Sequence, residues 1–116
     1  MQDLEIVQEI ARVMDNKKAT DIVALDVSKM TVVCNYMIIC TGRSTLLVSA
    51  IVREIQEKMD ALGVRLHRSE GVNEGRWAIL DYGHTLVHVF HPEERAYYNL
   101  ERLWEDGENR VTLELE

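Results

Sequence analysis

The chain has 116 residues, 47% hydrophobic and 28% charged, with a formal net charge of −7, which fits one domain that buries its own core without staples. The acidic balance argues against direct binding to a nucleic-acid backbone, which relies on clustered Lys and Arg. No apolar run approaches the roughly 20 residues of a membrane-spanning helix, and MQDLEIVQEI lacks the basic beginning of a signal peptide; a cytoplasmic protein without membrane contact is expected.

From Asp3 to Lys18, the residues Val7, Ile10, Ala11 and Met14 recur at helical spacing, and Lys17 and Lys18 suit a helix C-terminus. The short runs 21–27 and 36–41, rich in Ile and Val, read as buried strands. Cys34 and Cys40 match neither a zinc pattern nor a disulfide framework, so both are expected as buried free thiols. After Gly42-Arg43-Ser44 comes a second helix, with Ser44 as N-cap and Gly63 as its stop. Its stripe is Leu47, Ile51, Ile55 and Met59 at every fourth position, widened by Val48 and Val52. Residues 64–69 alternate as a third strand. The loop EGVNEG then leads into GRWAILDYGHTLVHVF, which supplies strands four and five.

His91-Pro92-Glu93-Glu94 starts a last helix, with Pro at its first turn and acids at the positive dipole end. Ala96, Tyr97, Leu100, Leu103 and Trp104 are expected on its buried face, with Tyr98 off the stripe. The order is α-β-β-α-β-β-β-α. Strand two, helix two and strand three form one crossover unit, and short links elsewhere make hairpins, which predicts an α/β (α+β) domain with a mixed five-stranded sheet packed with helices. Residues 1–106 read as one domain and residues 107–116 as an acidic tail. Residues 93–116 hold eight acids and three bases, a net −5 out of −7; this end reads as a solvated face with a frayed tail.

The hairpin carries the densest chemistry. With Tyr82-Gly83 as its turn and Gly83 supplying a positive φ, Asp81 faces His84, Ile79 faces Leu86 and Trp77 faces His88. Ala78, Leu80, Thr85 and Val87 form the opposite, small aliphatic face. The face of Trp77, Ile79, Asp81, His84, Leu86, His88 and Phe90 mixes large apolar with polar groups and reads as an accessible platform. Reactive chemistry is harder to place there. His84 and His88 stand roughly 13 Å apart along a strand, too far to ligate one ion, so no metal and no cofactor is expected. Gly42-Arg43-Ser44 could receive an anion at a helix N-terminus, but the Walker pattern is missing and Asp26 and Asp81 are isolated from each other. A nucleotide-binding enzyme using Arg43 and Asp26 is the alternative to a binding protein, and the apolar platform also leaves room for a homodimer.

CNYMIICTGRS, SEGVNEGRWAILDYGHTLVHVF and RAYYNLERLW together resemble the ribosomal silencing factor family, also called Iojap or RsfS. The resemblance runs from about residue 3 to 106, in order and without large gaps. It implies a nucleotidyltransferase-like fold without established transferase activity. It also implies binding to the large ribosomal subunit through large-subunit ribosomal protein fourteen, obstruction of small-subunit joining, and repression of translation. The family's recognition motif falls on Trp77, Asp81, Tyr82, Gly83 and His88, with Glu70 and Gly71 in the preceding loop; Ile79 lies on the same face. Trp77 and Tyr82 are the expected docking residues, with Tyr82 presented from the turn. Two positions depart from the family: His84 stands where an acid is frequent, and Asn35 where Asp is frequent.

Overall fold

A computed structural model describes residues 1–115. The elements in chain order are α1 (Asp3–Asn16), β1 (Thr20–Asp26), β2 (Tyr36–Thr41), α2 (Thr45–Ala61), β3 (Arg68–Glu70), β4 (Trp77–Asp81), β5 (Thr85–Phe90), α3 (Pro92–Tyr98) and α4 (Glu101–Trp104). The strands form one sheet in the order β1-β2-β5-β4-β3. Among the described residues only β2 and β5 pair in parallel. The mixed five-stranded α/β architecture expected from the periodicities is therefore present.

Two cores flank the sheet. On one face α1 contributes Val7, Ile10, Ala11 and Met14, and α2 contributes Val48, Ile51, Val52, Ile55 and Met59. They close over Ala24, Ile38, Cys40, Ala78, Leu80, Val87 and Val89. Ser44 caps α2 as expected, its side chain accepting from Leu47 N–H, and Gly63 follows the helix at φ +75°. On the other face a smaller cluster of Val23, Leu25, Val27, Cys34, Met37, Ile39 and Phe90 is covered by Leu100 and Trp104. Cys34 and Cys40 are free and buried on opposite sides of the sheet.

The crossover unit is real but spread out. β2 and β3 run in the same direction on either side of α2, and the later hairpin β4-β5 fills the gap between them. β3 is shorter than the expected 64–69 and fully exposed, because Val64 and Leu66 turn inward onto the main core.

The C-terminal quarter differs more. Asn99 adopts the left-handed conformation at φ 46° and splits the expected single helix into α3 and α4, a conformation that Asn tolerates better than most residues. The break turns Leu100 and Trp104 onto the sheet and leaves Tyr97 and Leu103 exposed, so the single stripe does not form. Arg95 ties this end down: its guanidinium donates to Asp21 O (2.7 Å), Thr41 Oγ1 (2.9 Å) and Glu101 Oε2 (3.1 Å).

Residues 107–115 are not frayed. Asp26 N–H donates to Asn109 O and Val111 N–H to Ala24 O, each at 2.8 Å, so the segment runs along the outer edge of β1. Val111 and Leu113 join the main core, and Glu114 exchanges two hydrogen bonds with Gln8. Covering an edge strand in this way removes a template for unwanted pairing. The charge count concealed the alternation in VTLEL that drives it.

Candidate docking surface

The hairpin turn is Gly83-His84 rather than Tyr82-Gly83, since Tyr82 N–H donates to Thr85 O at 3.0 Å. Gly83 has φ +89° and His84 does not share the positive φ, the pattern of a turn with Gly at its first central position. Asp81 Oδ1 accepts from Gly83 N–H at 2.8 Å and braces the turn. The observed pairs are Trp77↔Phe90, Ile79↔His88 and Asp81↔Leu86 on one face, and Ala78↔Val89 and Leu80↔Val87 on the other. The pairing differs from the expected one by two residues, which equals the side-chain period, so both faces keep their members. Only His84 leaves the platform, for the turn.

The platform is layered rather than evenly accessible. Phe90 is fully buried and His88 is 3% exposed, while Trp77, Ile79, Asp81 and Leu86 are half-buried. The layers come from α3 and α4, which roof the β5 end of the face. Trp77 stacks on Phe90 at 4.9 Å between ring centroids and meets Tyr98 at 4.8 Å. Tyr97 meets Tyr98 edge-on at 5.0 Å. These rings form a ladder that rises from the core into solvent, Tyr98 being 50% and Tyr97 82% exposed. Such rings offer rigid, amphipathic contact area. Neither tyrosine was among the expected docking residues: helical periodicity put Tyr97 on the buried stripe and Tyr98 just off it, and the signal for an exposed Tyr97 lay in Asn99, two residues beyond.

His88 ties Trp77 from beneath. The Trp77 Nε1–H group donates to His88 Nδ1 at 3.1 Å, and burial lowers the imidazole pKa to about 4, so the ring is neutral. His88 thus supports the surface and does not face a partner. Tyr82 is also corrected: it is 7% exposed, with its ring in the main core, and is not presented from the turn. Burial, aided by the charge of Asp60, pushes its hydroxyl up to about 12. A large ring gains more from the core than a turn position would give it.

Glu70 is exposed on β3 and pairs with Ile79. Gly71 acts through the backbone: it sits at φ +71°, and a Cβ there would stand 2.1 Å from Trp77 O. Gly71→Ala is expected to cost about 2 kcal/mol, from left-handed strain plus that collision, with the loss read by chemical denaturation. At the other end of the face, Asp81 adds to burial in holding the Cys34 thiol up, and the adjoining loop exposes Val32 and Val33.

The two departures from the family pattern meet at one carboxylate. Asn35 Nδ2 donates to Asp3 Oδ2 at 3.1 Å, and His84 Nδ1 lies 3.4 Å from the same oxygen. An acid at either position would face Asp3.

The two histidines of the hairpin do not converge. His84 lies on the exposed turn beside Asp3, whereas Nδ1 of buried His88 is taken by Trp77. His91, Glu93 and Glu94 do place ligand-type atoms within 4.8 Å of one another. The two carboxylates there are already paired with Arg76, at 3.1 and 2.7 Å, which holds Glu94 below its ordinary range. The residues of the nucleotide alternative are split between opposite ends of β1: Asp26 pairs with Tyr36, whereas Gly42 follows Thr41, the partner of Thr20, a separation of roughly 17 Å. The Asp26 carboxylate accepts from Ser28 N–H and Oγ–H. Among the described residues no helix is long and apolar enough to cross a membrane.

The fold and this face define a class, a small mixed α/β domain that displays an aromatic ladder on the open part of its sheet. A family model described as ribosomal silencing factor during starvation matches residues 1–116. The ribosomal silencing factor RsfS of Bacillus subtilis is 44% identical over 107 residues, covering 92% of this chain and 91% of that protein. The one from Halalkalibacterium halodurans is 40% identical over 116 residues, covering 100% and 97%. A crystal structure of a Chromobacterium violaceum protein superposes with a TM-score of 0.88 at 34% identity, covering 100% of this chain and 95% of that one. The chain belongs to the ribosomal silencing factor family.

Proposed function

We propose that this protein docks on the large ribosomal subunit through large-subunit ribosomal protein fourteen, and that its bulk then obstructs joining of the small subunit and represses translation. The single observation that carries the docking site is the half-buried Trp77, in contact with Phe90 and Tyr98 on the open part of the sheet. Aromatic anchors in such a setting dominate binding energy at protein interfaces. Glu70, Gly71, Ile79 and Asp81 surround this anchor along the strands, and Tyr98 extends it. His88 serves this surface from within, whereas Tyr82 lies in the core on the other side of the sheet. The net charge of −7 favours a basic protein partner and steers the encounter. In this reading the protein acts in the cytoplasm by occupancy, without catalysis or cofactor. A homodimer that buried the same rings would compete with subunit binding.

Sedimentation with purified large subunits tests the proposal. Trp77→Ala is expected to weaken co-sedimentation at least tenfold and to restore formation of whole ribosomes, while Arg43→Ala leaves both unchanged. A folded Trp77→Ala chain that binds and blocks as well as the unmodified one sinks the docking site.

A further inference from the structure

We infer that His88 is a positioning residue that fixes the indole of Trp77 in its docking orientation, through a hydrogen bond only one tautomer of the imidazole can accept. The inference rests on the Trp77 face being the docking surface. Stacking on Phe90 and the tilted contact with Tyr98 restrain the plane of the indole, but they leave open which edge of the ring points inward, because a flat ring can still pack on its neighbours after a flip about its own bond. The bond from Trp77 Nε1–H to His88 Nδ1 at 3.1 Å removes that freedom. The acceptor itself cannot swing away: His88 sits in mid-strand on β5 opposite Ile79, 3% exposed, with Phe90 two residues further along the same face.

Accepting at Nδ1 puts the proton of the neutral ring on Nε2. Among the described residues no hydrogen-bond partner reaches Nε2, which is fully buried. A buried donor without a partner is destabilising, and an aliphatic side chain would suit this position better as mere filling. The orphaned nitrogen is the cost of presenting a bare acceptor to Trp77.

The test uses the full chain labelled with ¹⁵N. Near neutral pH, a scalar coupling across the hydrogen bond between Trp77 Nε1 and His88 Nδ1 is expected, with nitrogen shifts that place the His88 proton on Nε2. An absent coupling, or a proton on Nδ1, overturns the proposal. His88→Leu is expected to lose the indole signal's downfield position and at least fivefold in co-sedimentation with large subunits. His88→Asn, whose amide oxygen stands near the place of Nδ1, recovers most of both. If His88→Leu does not fold, the comparison moves to His88→Gln, whose amide falls near Nε2: binding equal to that of His88→Asn overturns the role. The two readings fail differently. If Trp77→Ala binds as the unmodified chain does, the docking surface is wrong and this inference falls with it. If Trp77→Ala loses binding while a folded His88→Leu keeps it, only the inference falls.

Discussion

Phe90→Ala is expected to destabilise the fold by about 4 kcal/mol and to lower the melting temperature by more than about 10 °C. Phe90 is fully buried and is among the largest side chains in the second cluster. Its neighbours come from separate elements: Thr41 across β2, Trp77 across β4 and the Leu100–Trp104 roof. Closing the cavity would require all of these to move, so relaxation recovers little of the lost contact. The effect reaches the surface as well, because Trp77 loses the ring on which it stacks and co-sedimentation with large subunits should fall along with stability. Phe90→Leu, which keeps most of the volume, is expected to restore stability more than binding. Thermal melts of the two variants read this directly; a Phe90→Ala chain melting within a few degrees of the parent would mean that the smaller core carries little of the fold.

Local patterns were legible wherever one residue type decides the backbone or one period decides the face. β2 ends at Thr41 and α2 starts behind Ser44, as the Ile-rich run and the cap require. The membership of the hairpin faces survived a wrong turn because an error of two leaves every side chain on its own side. What stayed hidden depends on distant partners. Burial of Phe90 comes in part from Leu100 and Trp104, whose approach is set by the left-handed backbone of Asn99. Tyr82 reads as a turn residue in DYGH, yet the core formed by α1 and α2 claims its ring. Arg76 likewise satisfies Glu93 and Glu94 across sequence distances that no short motif spans.

The same burial that layers the platform makes the fold sensitive to acid. Free histidine titrates near 6.5, whereas desolvation holds folded His88 at about 4. Between these values the unfolded chain binds a proton that the folded chain refuses, so the stability His88 contributes is complete above pH 6.5 and drains away as pH falls to about 4. The span is worth about 3 kcal/mol. Asp26 and Glu94, both held below their ordinary carboxylate range, lose their contributions only below about pH 4.5, which leaves the upper part of the window to His88. Denaturant titrations of the parent chain and His88→Asn from pH 8 to 4 are therefore expected to diverge, with the parent losing stability faster as pH drops from 6.5. Parallel curves would mean that His88 meets solvent in the folded chain. Protonation would also fill Nδ1, which can then no longer accept from Trp77, so the indole fluorescence of Trp77 should change as the folded ring titrates near pH 4, not near 6.5.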